Sequence, residues 1–303
     1  MSELSLARSR PLEGEGSDVA GTGDTVRRVL FHLLCLVLPL TSFLFVATGP
    51  HASGVGWWLL PLALSIAADF SGITDRRQPP QALPRWPFDA LLYGLVALQV
   101  ANLLLAFRLI AMTGFFDWHT LVAVLLVGTS SGYSGIVVAH ELIHRRVRHQ
   151  RLLGRVLMGL VLYDHFATEH VRGHHVRVGT PEDPATARFG ESFHAFLRRT
   201  LPGQFASAWR LECRRLGDER MPWHDRRQLG NQVLHGLVAE WAFAAGVAAV
   251  FGGAAFAFHL LQAAWAVRLL ECVNYFEHWG LVRTGARVDT TDSWDTDSAF
   301  TLY

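Results

Sequence analysis

The sequence predicts an all-α, polytopic membrane helix bundle that carries a histidine-rich metal site at one end. Three observations predict it. Half of the residues are hydrophobic and only 17% are charged, where a soluble domain carries about a quarter. The missing charge is concentrated in six long uncharged runs. Histidines gather in short clusters where those runs give way to polar sequence.

The elements follow in chain order. Residues 1–27 are polar and rich in Gly and Ser, a composition that predicts a disordered tail. They lack the short apolar stretch and small-residue cleavage site of a signal peptide. A spanning helix needs ~20 mostly apolar residues. Segments 29–48, 55–70, 88–112, 119–139, 233–251 and 254–275 qualify or nearly so, giving about six spans. The run 55–70 is short, so it is expected to tilt or to pair with the helix before it. Pro79, Pro80, Pro84 and Pro87 mark a loop, because proline neither continues a helix nor favours one before it. Gly252-Gly253 suits a tight hairpin between the last two runs. Region 140–232 is too polar to span. Its apolar stretch 152–162 is expected to lie against the membrane surface or the bundle. Residues 28–303 thus form one domain, without internal repeats.

Arginine sets the expected orientation. All 27 basic residues are Arg, and 25 of them lie in the N-terminal region, 71–87, 140–232 and 276–303. The opposite loops, 49–54, 113–118 and 252–253, hold none. Basic residues mark the cytoplasmic side. Both termini and the histidine clusters are therefore expected on the cytoplasmic face of the inner (plasma) membrane. A net charge of +1 offers no basic field for nucleic acid. Cys35, Cys213 and Cys272 have no CxxC spacing, which argues against a disulfide framework and for reduced, packed thiols.

Six of the 15 histidines fall in three clusters: His140 and His144; His170, His174 and His175; and His278. Residues four apart on a helix share a face. His140 and His144 can therefore aim two imidazoles at one point. His170 and His174 are expected to repeat that geometry, with His175 about a hundred degrees around the helix. Imidazole suits iron, zinc, copper and nickel. Glu141, Glu169 and Glu277 each adjoin a clustered histidine. Ligand histidines commonly pass their second N–H to a carboxylate, so these three are candidate supports, or else solvated interfacial charges. Asp164 and His165, just before the second cluster, are weaker candidates of the same kind. Asp69 ends the short run, where an ionisable residue is a functional candidate or simply caps the helix with Ser71. The remaining histidines have no ligand-like neighbours. His140-Glu-Leu-Ile-His144 is also the zinc-protease pattern HExxH, but a protease has no use for the four further clustered histidines.

At these residues the chain resembles the bacterial integral-membrane alkane hydroxylases (alkane 1-monooxygenases), within the membrane fatty-acid desaturase and hydroxylase superfamily. His140–Arg145 is similar to the HExxH-K/R segment and Glu169–His175 to the EHxxGHH box. Thr180–Thr186 and Gly190–Ser192 match the stretch that follows. Asn274–Leu281 resembles NYxEHYGL, with Trp279 in place of Tyr. That Glu-His motif favours the alkane-hydroxylase branch over ordinary desaturases. The resemblance covers roughly residue 30 onward.

The resemblance implies a non-haem di-iron centre held by nine histidines, six of which map to His140, His144, His170, His174, His175 and His278. The other three belong to a later HxxxHH-type box that is absent through Ser293–Tyr303, where Asp292, Asp295 and Asp297 are the polar residues. The expectation is a chain cut short of that box, with binding of the second iron in question. The implied activity is O2-dependent hydroxylation of terminal C–H bonds in alkanes or related alkyl chains. Substrate would arrive from membrane lipid, and electrons from an external rubredoxin- or ferredoxin-type donor. The alternatives are a fatty-acyl desaturase of the same superfamily and a truncated, non-catalytic remnant.

Overall fold

A computed structural model of the chain describes residues 22–73, 84–283, 285, 287–289, 292–294 and 296. The tail up to residue 21, Pro79, Pro80, Asp295 and Asp297 lie outside the described residues. Every regular element among the described residues is helical. Each of the six apolar runs forms a helix. Four helices are long and apolar enough to cross a membrane, namely Arg28–Thr48 (α1), Trp86–Thr113 (α3), Trp118–His144 (α4) and Gln232–His278. Val55–Asp69 (α2) is shorter. Helix formation at the first described element starts at Thr22, ahead of the apolar run.

Local chemistry sets the helix ends. Pro87 sits in the first turn of α3, where the N–H it lacks would have no partner in any case. The Asp117 side chain accepts from the His119 N–H and caps α4. Gln232–His278 is 47 residues long, which as one rod would reach ~70 Å, more than twice a bilayer's hydrocarbon thickness. It is not one rod. Gly252 takes φ +85°, a conformation that glycine adopts without steric cost, and divides the segment into α8 (232–251) and α9 (253–278). The ring centroids of Phe243 and His259 lie 5.4 Å apart, so the two legs fold back on each other as a hairpin.

Three further helices lie in the polar region: Arg148–Gly159 (α5), 165–177 (α6) and Phe193–Arg215 (α7). The α4 helix is central, with 72% of its apolar window buried against 33% for α1 and α3. One core cluster, including Phe45, Phe107, Leu126 and Phe258, fills the middle of the bundle. A second, including Leu142, Leu157, Phe166 and Ala266, packs α4, α5, α6 and α9 together. This second core lies directly under the histidines. The apolar stretch 152–162 divides accordingly. Leu157 and Met158 are buried in the core, while Leu152 and Val156 are exposed.

Candidate metal centre

His140 and His144 occupy the last turns of α4, and their ring centroids are 4.8 Å apart, as the four-residue spacing predicts. The second cluster behaves differently. His170–His174 forms a π-helical turn, and the backbone N–H of His175 reaches the carbonyl of His170. A five-residue bond widens the turn, so residues five apart come onto one face. The Nε2 atoms of His170 and His175 are consequently 2.9 Å apart. His140 Nε2 lies 2.7 Å from the same His170 nitrogen. His175, expected about a hundred degrees around the helix from His174, thus comes onto the side of His170 and joins the same group. The reason is the wider turn.

One ligand atom from each of His140, His144, His170 and His175 lies within 4.8 Å of all the others. Imidazole–metal bonds of ~2.0–2.1 Å place neighbouring ligand nitrogens ~3 Å apart around one ion. The donor set therefore fits a single metal ion with little adjustment. His170 is buried at the floor, and His144 and His175 are exposed at the rim. Burial, reinforced by the neighbouring histidines, pushes the His170 pKa well below the ordinary value. Burial and the same neighbours lower that of His175. Both rings are thereby kept neutral with lone pairs available.

His174 and His278 form a second pair beside this group, with ring centroids 4.9 Å apart. Each has its Nδ1 committed. His174 Nδ1 donates to the buried Asp183 carboxylate at 2.9 Å, and His278 Nδ1 donates to the Asp292 carbonyl at 3.2 Å. That arrangement leaves Nε2 as the atom each ring could offer to a metal. Burial works to keep His174 neutral, but Asp183, Glu169 and Glu277 outweigh it and raise its pKa. Asp183 is itself fixed by Thr186 Oγ1 at 2.6 Å and the Ala185 N–H at 3.2 Å. Arg199 of α7 clamps the same loop through the carbonyls of Pro184 and Thr186. The Tyr275 hydroxyl, donating to the Glu191 carbonyl at 2.6 Å, ties the loop to α9. Asp183 was not a sequence candidate; its signal was its place inside the Thr180–Thr186 match.

The proposed supports take varied positions. Glu169 is wholly buried and holds the π turn instead of a ring. It accepts from the His174 backbone N–H at 3.1 Å and from Arg177 at 2.6 Å. Burial raises its pKa to about 7 despite those donors. Glu141 is exposed and pairs with Arg145 at 2.8 Å. Glu277 Oε2 is 4.0 Å from His278 Nε2. Asp164 pairs with Arg155 of α5 and anchors the start of α6. The His165 ring lies between Tyr163 and Phe205, and burial depresses its pKa to about 4. Asp69 ends α2, half-buried. Behind the site, Glu271 of α9 is fully buried and accepts from Tyr163, Gln204 and Asn274.

A bundle of apolar helices with imidazoles converging at one end defines a membrane-embedded protein built for a histidine-ligated metal. The fatty acid desaturase family matches residues 116–303, from the start of α4 onward, and the chain belongs to that family. It is 36% identical over 239 residues to alkane 1-monooxygenase 1 of Pseudomonas aeruginosa, covering 75% of this chain and 60% of that protein. It is 34% identical over 227 residues to alkane 1-monooxygenase 2 of the same organism, covering 74% and 59%. With alkane 1-monooxygenase 1 of Alcanivorax borkumensis it shares 29% identity over 278 residues, covering 88% and 67%. The chain thus spans about three fifths of the length of the first two relatives.

Proposed function

We propose that the chain is a membrane non-haem iron monooxygenase that hydroxylates terminal C–H bonds of alkanes or related alkyl chains. The observation that carries this reading is the convergence of His140, His144, His170 and His175 on one point at the end of an apolar bundle. These four imidazoles would hold one iron, and His174 and His278 would offer their Nε2 atoms to a second. Bound iron would supply the oxygen chemistry, in which one atom of O2 enters the C–H bond and the other leaves as water, with two electrons from the external donor and two protons.

The protein's own residues do the positioning. Glu169 and Arg177 hold the π turn that faces His170 and His175 together. Asp183 and the Asp292 carbonyl fix the orientation of the His174 and His278 rings. Asp164 and His165 support the entry to α6. Glu141, Glu277 and Asp69 stand as carboxylates at or near the same end of the bundle. The apolar helices exclude water and admit an alkyl chain from the bilayer. The arginine distribution supports about six spans, with the histidines on the cytoplasmic face of the plasma membrane. The 16 arginines between 145 and 227 suit docking of a small acidic rubredoxin- or ferredoxin-type donor.

The test uses membranes containing the chain, supplied with iron, a reduced rubredoxin system, octane and isotopically labelled O2. Labelled 1-octanol is the expected product, and it should vanish in His140→Ala. Iron-loaded protein that yields no alcohol would refute the reading. An unsaturated product from a fatty-acyl substrate would instead establish a desaturase.

A further inference from the structure

A groove of about 610 Å³ opens between α5 and α8. Its lining changes character along its length. Arg148, Arg151 and Arg155 recur at three- and four-residue spacing along one side of α5 and line the polar part with Gln232 and His235. Leu152, Val156 and Leu160 of the 152–162 stretch, with Ala239 and Phe243 of α8, line the apolar part. From Gln232 to Phe243 the helix advances ~16 Å. The groove therefore runs from the polar end of a membrane-crossing helix well into its apolar length.

The polar groups in the groove are accounted for. Arg155 is committed to Asp164, to the Gln232 side chain at 2.8 Å and to the Gln232 carbonyl at 3.0 Å. Asp164 is neutralised by that pair, and its backbone N–H donates to Glu240 Oε1 at 2.6 Å. His235 lies 2.6 Å from the Leu229 carbonyl. Both carboxylates are buried at the base. Arg148 and Arg151 are exposed, and Arg151 uses Nη1 on the carbonyls of Arg145 and Arg146. The open rim is thus cationic while the acidic groups are enclosed below it. Leu152 is 61% and Val156 47% exposed, which suits lipid contact at the depth where an amphipathic helix meets a bilayer.

We propose that this groove binds an anionic phospholipid, with the phosphate at Arg148 and Arg151 and one acyl chain along Leu152, Val156, Ala239 and Phe243. The charge gradient excludes a neutral alkane as the fitting occupant, since arginines would add nothing to its binding. Polybasic clusters beside a membrane helix attract anionic headgroups. The site is separate from the histidines and holds whatever reaction they perform. Occupancy would brace α5 against α8, and through Arg155 and Asp164 the start of α6.

The test is lipid retention by the purified chain in detergent, read by native mass spectrometry. Phosphatidylglycerol and phosphatidylcholine with identical acyl chains are the probes. Preferential retention of phosphatidylglycerol is expected. Arg148→Gln/Arg151→Gln should weaken it roughly tenfold to thirtyfold, the effect of two arginines at an anionic surface. Ala239→Trp, which fills the apolar part, should lower retention of both lipids. Arg148→Gln alone is the milder variant, because it leaves the Arg151 carbonyl bonds intact, and it should still lower phosphatidylglycerol retention. Iron content should stay at the parent level in every variant. Equal retention of the two lipids, or arginine variants that bind as the parent does, would overturn the proposal. So would unaltered binding in Ala239→Trp, or full displacement by inorganic phosphate, which would leave a simple anion site.

Discussion

Gly173→Ala is the sharpest perturbation of the candidate centre. A Cβ at Gly173 would lie 2.4 Å from Arg177 Nη2, 2.4 Å from Glu169 Oε1 and 2.8 Å from Glu169 Cδ. Those atoms form the ion pair that holds the π turn. The methyl group must separate the pair or shift the backbone. Glu169 is wholly buried, and breaking a buried pair costs about 3–5 kcal/mol. Arg177 is part-exposed and can move aside, so the lower end, about 3 kcal/mol, applies. That corresponds to a fall of about 6–12 °C in apparent Tm for a chain of this size. Displacing the turn also separates His170 from His175, so metal affinity should fall about 10–100-fold, the usual effect of losing a ligand's support. Thermal unfolding in detergent and metal titration of the same sample read both effects. Parent-like Tm together with parent-like metal affinity would refute the argument that glycine is needed for this close approach.

Other perturbations separate the remaining contributions. In metal-free protein the raised pKa of His174 gives stability that is present in full below pH 6.5 and lost as pH rises through the folded value. The lowered pKa of Asp183 gives stability present above pH 3.8 and lost as pH falls through its folded value. Tm should therefore decline as pH rises above 6.5, and Asp183→Asn should flatten that slope; an unchanged slope would place its origin elsewhere. Tyr163→Phe removes one of three donors to buried Glu271 and should cost about 1–2 kcal/mol in thermal unfolding, whereas no loss would mean that Gln204 and Asn274 suffice. His278→Ala should lower the metal count per chain while the His140 group keeps its ion, with His140→Ala removing that ion. Identical losses in the two variants, measured by elemental analysis, would show that the histidines act as one site.

The helices were legible because membrane physics writes them in composition. A span of uncharged residues has few alternatives to a helix, since no water satisfies its backbone within a bilayer. Gly252-Gly253 marked the hairpin for an equally local reason, as the turn needs a positive φ at Gly252. The placement of α5 was less legible. Its sequence shows an apolar and an arginine-bearing side, but composition alone does not say which apolar residues meet the second core and which face outward. The structure divides it, with Leu157 and Met158 buried and Leu152 and Val156 outward.

The histidines show where periodicity stops being enough. His140 and His144 follow the α-helical rule because nothing interrupts the last turns of α4. His170, His174 and His175 do not. The buried carboxylate of Glu169 accepts the His174 N–H, a bond between residues five apart that competes with the α-helical pattern. Once the turn widens, His175 rotates to meet His170, and His174 is released to Asp183. The spacing His-x-x-x-His-His therefore encodes two destinations for its last two rings. Which ring goes where depends on a loop residue nine positions on and on the Glu169–Arg177 pair, and no helical wheel contains either. Gly173 is the one local trace of this geometry. It lies where the carboxylate and guanidinium pass so close to the backbone that any Cβ would force them to shift.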